Sequence, residues 1–301
     1  MVALAAGWAA ALHVTLAAGI AGAVTLAGTQ FGRARVPSAF RRLFELVEER
    51  RTFVGLPPIL AVARIEPWAL VIIVFASAPS VAAVVVAALG APVDLADLLG
   101  SLAPWRGVGA GGALATYAVI VAVHALVCWW YLRVARRAIV TEGIAAPAVL
   151  RDRSRTDVAV RLGAGALLDE GGTLEELGWR AFLLPLLLLE LDRGPATVLL
   201  AVLWWAWHLP REVPTLRRRG IDRTWVENQA MFVGTCVALS VLCTEVVIRT
   251  GSVWPAVLVH GGTNVWSKAL GSVTYARWRT DVRTVIVVVI AFVVAITWAA
   301  G

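Results

Sequence analysis

Apolar runs of about twenty residues alternate with short arginine-rich segments along nearly the whole chain. A helix of that length crosses the hydrocarbon core of a bilayer, and in that medium the backbone must satisfy its own N–H and C=O groups. The pattern therefore predicts an all-α fold, a polytopic transmembrane helical bundle. Composition agrees. The chain is 59% hydrophobic and 16% charged, where soluble domains average about 45–50% and about 25%. Its 301 residues hold about eight spans in a single integral membrane domain, 1–301.

The spans are expected at 2–28, 67–89, 112–132, 174–191, 196–209, 229–248, 253–270 and 284–300. No basic residue precedes the first run, so it reads as an uncleaved span rather than a signal peptide. Residues 31–55 form a cytoplasmic amphipathic loop. Within it the spacing of Phe40, Leu43, Phe44 and Val47 predicts an interfacial helix over 39–51. Tight turns are expected at 192–195 and 249–252. Of the 27 Lys and Arg residues, 22 fall in 31–57, 133–161, 210–223 and 268–283, and only Arg106, Arg193 and Arg249 fall in the opposite loops. Positive segments stay cytoplasmic, which places both termini outside.

The net charge of +7 then belongs to loops facing anionic lipid, not to a nucleic-acid surface. The expected partners are membrane lipid and a peptide or protein substrate, with no nucleic acid. The alanine, valine and arginine bias points to a bacterial, multi-pass plasma-membrane protein. Cys128, Cys236 and Cys243 all lie in apolar runs and read as packing residues. His13 and His124, alone in their spans, read as packed histidines.

Charges inside a membrane segment are costly and usually functional. Three spans carry such groups toward the same cytoplasmic end: Glu175, Glu176 and Arg180 in the fourth, His208 at the end of the fifth, and His260 and Asn264 in the seventh. His260 and Asn264 are four apart and share a helical face, as do Glu176 with Arg180 and Trp204 with His208. Gly261 and Gly262 allow a neighbouring backbone to come close. Glu176 has two structural readings, a capping box with Thr173 or an ion pair with Arg180. Glu175 has neither use.

A carboxylate in such a cluster can act as general base on water, and a histidine and an asparagine can donate to a developing oxyanion. That combination suits peptide hydrolysis without a covalent nucleophile. His208, His260 and Glu175 would equally make a His₂Glu zinc set with an open position. The residues alone allow either chemistry, and no cofactor is assigned.

The motifs Glu175-Glu176-x-x-x-Arg180, Trp204-x-x-x-His208 and His260-x-x-x-Asn264 resemble the EExxxR, FxxxH and HxxxN pattern of the CPBP intramembrane proteases. These include type II CaaX prenyl endopeptidases, bacteriocin-processing enzymes and Abi proteins. The resemblance covers about 170–270. Trp204 stands where the family usually has phenylalanine. The resemblance implies an intramembrane endopeptidase with Glu175 activating water, His208 as its partner, and His260 and Asn264 stabilising the oxyanion. Glu176, Arg180 and Trp204 would support them, and a metal-free glutamate mechanism is favoured. The competing readings are a non-catalytic scaffold or immunity factor and, more weakly, a transporter. The transporter reading lacks the repeat symmetry it calls for.

Overall fold

The computed structural model describes residues 2–31, 35–50, 54–142 and 154–274. The expected eighth span at 284–300 lies outside the described residues. Among the described residues every regular element is helical. In chain order they are α1 (Val2–Gln30), α2 (Arg35–Glu49), α3 (Leu56–Ala63), α4 (Leu70–Ala88), α5 (Leu95–Gly100), α6 (Gly109–Glu142) and α7 (Arg155–Leu168). Then come α8 (Glu170–Glu176), a π-helical segment (Leu177–Leu183), α9 (Leu184–Leu188), α10 (Arg193–His208), α11 (Val213–Arg219), α12 (Arg223–Thr250) and α13 (Trp254–Thr274). The protein is an all-α membrane bundle. Among the described residues, four stretches are long and apolar enough to cross a bilayer: Leu4–Gln30, Pro67–Ala88, Gly109–Leu126 and Arg223–Thr250.

The bundle packs through small residues, as expected where lipid offers no hydrophobic drive between helices. Ala6, Ala9, His13, Ala17 and Ala21 recur every three or four residues on α1 and are buried. They meet Ala78, Ala82 and Ala83 of α4. Leu4, Val81, Val84, Val121 and Leu126 face outward, the arrangement that apolar lipid favours. His13 lies in the α1–α4 contact, its Nε2 on the carbonyl of Pro79 at 3.0 Å. His124 likewise bonds the carbonyl of Leu258 at 3.1 Å. Both histidines are packed, as expected. Cys236 and Cys243 are buried free thiols in the core, whereas the side chain of Cys128 is outside the described set.

Several boundaries differ from the expectation. The interfacial helix begins at Arg35 and buries Ala39 and Leu43 on Ile59 and Val62. α6 runs on to Glu142, into the basic segment expected as loop. α10 starts at Arg193, inside the expected turn at 192–195. The helix carrying the glutamate pair starts a turn early, because Asp169 accepts from the N–H of Gly172 at 2.8 Å and caps it. Thr173 instead donates its hydroxyl to the carbonyl of Leu167. The capping-box reading of Thr173 and Glu176 is thereby corrected.

After Glu176 the α-helical ladder opens into the π turn. A side chain enters the ladder there. The hydroxyl of Ser80 in α4 donates to the carbonyl of Leu174 and accepts from the N–H of Gly178. These two groups would bond each other in an uninterrupted α-helix. Gly178 permits the contact, because a Cβ there would stand 2.3 Å from the carbonyl carbon of Pro79. The widened turn leaves Glu175 and Glu176 at a break in the helix, a place where such bulges often mark functional sites.

Candidate active site

Glycine sets the separation of α8 and α13. A Cβ on Gly172 would meet the backbone nitrogen of Gly261 at 2.6 Å, and one on Gly261 would meet the carbonyl oxygen of Ala166 at 2.1 Å. No side chain larger than hydrogen fits between these backbones. That approach brings Glu176 to His260, whose Nδ1 donates to Glu176 Oε1 at 2.7 Å. The same carboxylate oxygen accepts from Arg180 Nη1 at 2.9 Å. Arg180 also donates to Ser240 Oγ at 3.1 Å and lies over the Trp204 ring at 4.3 Å. Glu176 and Arg180 are wholly buried. An isolated charge in this setting would be prohibitive, so Glu176, the guanidinium and the imidazole form one paired cluster, in which Glu176 Oε2 and Arg180 Nε have no hydrogen-bond partner among the described residues.

Glu175 turns the other way. Its Oε2 accepts from the indole N–H of Trp204 at 2.8 Å. Its Oε1 faces Gly171. A Cβ on Gly171 would stand 3.2 Å from Glu175 Oε1, 3.2 Å from His260 Nε2 and 2.9 Å from Asn264 Nδ2. Three polar atoms from two helices thus converge on one small volume beside a residue without a side chain. Asn264 reaches it while its Nδ2 donates to Asp169 Oδ2 at 2.9 Å.

His208 approaches from α10. Its Nδ1 lies 2.8 Å from the carbonyl of Trp204. A carbonyl only accepts, so Nδ1 carries the proton and Nε2 keeps a lone pair in the neutral ring. The ring is held edge-on by Trp207 at 4.6 Å and Phe232 at 5.0 Å between centroids. Glu175 and His208 share no hydrogen bond, and Trp204 touches both. Trp204 also meets His260 edge-on at 4.9 Å. Its indole is the hub against which Glu175, Arg180, His208 and His260 all rest.

Among the described residues, no three His, Cys, Asp or Glu side chains stand around a common point as metal ligands. The zinc set of His208, His260 and Glu175 is not assembled in that sense. Asp169, Gly171, Ser80 and Ser240 escaped the reading from sequence. Asp169-Glu170-Gly171-Gly172 carries a faint signal, a capping acid before a glycine pair. Ser80 and Ser240 carry none.

Residues 163–266 match the family described as Type II CAAX prenyl endopeptidase Rce1-like. The matched stretch runs from α7 into α13 and contains Asp169, Glu175, Glu176, Arg180, Trp204, His208, His260 and Asn264. It agrees with the resemblance to CPBP proteases carried by the three motifs, and it supports an endopeptidase at a membrane. Among curated proteins nothing matches the chain. The Rce1-like stretch thus coincides with the helices that build the polar cluster, and α1 to α6 lie outside it.

Proposed function

We propose that the protein is an intramembrane endopeptidase that hydrolyses peptide bonds of membrane-associated substrates with glutamate-activated water. The observation that carries this reading is the convergence of Glu175 Oε1, His260 Nε2 and Asn264 Nδ2 beside Gly171. It brings together one base and two donor groups, the set that addition of water to a carbonyl requires.

In the proposed reaction Glu175 takes a proton from water as the water oxygen bonds to the scissile carbonyl carbon. The carbonyl π electrons move to oxygen. His260 Nε2–H and Asn264 Nδ2–H donate to that oxyanion. His260 donates from both ring nitrogens in this state, so it is an imidazolium; it and Arg180 share Glu176 and are the two cations set against that carboxylate and the oxyanion. Glu175 then returns the proton to the amide nitrogen, the C–N bond breaks, and a carboxylic acid and an amine leave. His208, through its Nε2 lone pair, orients the attacking water. Trp204 holds the second oxygen of Glu175 and so aims the first.

The rest of the reading follows the charge pattern. About eight spans cross a bacterial plasma membrane in one domain, both termini lie outside, and the site opens to the cytoplasm, where substrates arrive at the membrane boundary. A prenylated C-terminal tail is one substrate class the family description names. Peptide maturation or membrane-protein processing is the class favoured here.

The test compares peptide termini in the membrane fraction of cells carrying the wild-type chain or Glu175→Gln at equal abundance. Termini that vanish in the variant establish the protease and name its substrates. Matching profiles, with a phenotype that only deletion produces, replace the protease with a scaffold.

A further inference from the structure

Asp169 belongs to none of the three motifs, yet it is fully buried beside the cluster. Its Oδ2 accepts twice, from the backbone N–H of Gly172 at 2.8 Å and from Asn264 Nδ2 at 2.9 Å. The first bond is a helix cap that Ser or Asn would make equally well. The second bond adds nothing to the cap. We propose that Asp169 is a positioning residue that turns the donor end of the Asn264 amide toward the reacting carbonyl oxygen. This rests on the hydrolytic reading above.

The reason is polarity. A carboxamide has a donor end and an acceptor end of nearly the same shape, and half a turn about its last bond exchanges them. With oxygen forward, Asn264 would repel an oxyanion. An ionised carboxylate only accepts, so Asp169 selects the nitrogen. One Nδ2 hydrogen is spent on Asp169. The nitrogen keeps a second, and it is this atom that lies 2.9 Å from the Cβ position of Gly171. The carboxylate is itself held by the Gly172 N–H, at a place where a Cβ on Gly261 of α13 would come within 3.3 Å of Asp169 Cβ. A donor aimed in advance needs no reorientation as charge develops.

Asn228 and Asn264 are the two asparagines of the chain. Protein carrying side-chain ¹⁵N-asparagine in detergent micelles therefore shows two amide pairs, and Asn264→Ala assigns them by deleting one. In the wild type one Asn264 hydrogen exchanges slowly with water. In Asp169→Ser, which keeps a capping oxygen but is too short to reach Asn264, that protection is lost, while the Asn228 pair stays as it was. Asp169→Ser forms the Glu175-dependent termini at least about tenfold more slowly, short of the roughly 10²–10³-fold loss from deleting an oxyanion donor. Asp169→Asn, whose amide oxygen still accepts from Asn264, recovers part of the rate.

Wild-type rate in Asp169→Ser, or an unchanged Asn264 amide pair, overturns the proposal. So does failure of both variants to accumulate, which would make Asp169 a structural cap. If no termini depend on Glu175, the hydrolytic reading falls and takes this inference with it. Glu175-dependent termini that form in Asp169→Ser at the wild-type rate overturn the positioning role alone.

Discussion

The contacts α1–α4 and α8–α13 each bury a histidine between closely packed helices, and they use it differently. In the first, alanines set the spacing and His13 meets a backbone carbonyl and two aromatic rings, those of Trp179 and Phe182. In the second, glycines set the spacing and His260 meets a carboxylate on one nitrogen while the other faces Glu175 and Asn264 across Gly171. Burial of a histidine is therefore no signature of a site. What separates the two is a charged partner behind the ring and a second carboxylate and an amide in front of it. Glycine makes that possible, because only backbones in near contact bring short acidic and amide side chains of different helices within hydrogen-bond reach.

Glu175 is where a substitution is expected to cost the most activity. Glu175→Gln keeps the shape and can still accept from Trp204, so the protein folds, while cleavage falls below detection in the terminus profile. Full activity in that variant removes the general base from the mechanism. Asn264→Ala comes next, with turnover lowered roughly 10²–10³-fold if the amide is an oxyanion donor. A change confined to KM would mean that it binds substrate instead.

Gly171→Ala fills the volume on which the three polar atoms converge. It places a methyl 2.9–3.2 Å from all three site atoms. Displacements of about an ångström cost on the order of 10²-fold in rate, so a fall of about that size is expected with little loss of melting temperature. Unchanged turnover would show that the volume beside Gly171 is not where substrate reacts. Trp204→Phe has a smaller effect. It keeps an aromatic ring for Arg180 and His260 and deletes only the N–H on Glu175. A fall in kcat of roughly ten- to a hundredfold with KM unchanged is expected, of the size of one lost hydrogen bond to a charged group at about 1.5–3 kcal/mol. Turnover at the wild-type level would make the indole a packing group, equivalent to the phenylalanine usual in the family.

His13→Phe has the smallest effect on activity. It removes the bond to Pro79 and costs roughly 1 kcal/mol, read as a lower melting temperature. Turnover per folded molecule stays at the wild-type value. A loss of turnover without a loss of stability would erase the distinction between the two buried histidines.

The membrane bundle was legible in the residues alone, since a bilayer admits few alternatives to long apolar helices and this chain is built of them. So were the rare polar residues to watch, because Glu175, His208, His260 and Asn264 stand out against an apolar background. Spacing alone paired Glu176 with Arg180, as four residues on a helix place two side chains on one face. The partners across helices emerge only when the helices are packed. That Glu176 also holds His260, that Trp204 holds Glu175 and that Asp169 holds Asn264 are contacts spanning 84, 29 and 95 residues. No local period encodes them. The Ser80 hydroxyl that opens the π turn is hidden for the same reason. Such contacts depend on how closely two backbones approach and how each helix is rotated, and both are set by glycines and serines whose meaning appears only once the helices are packed.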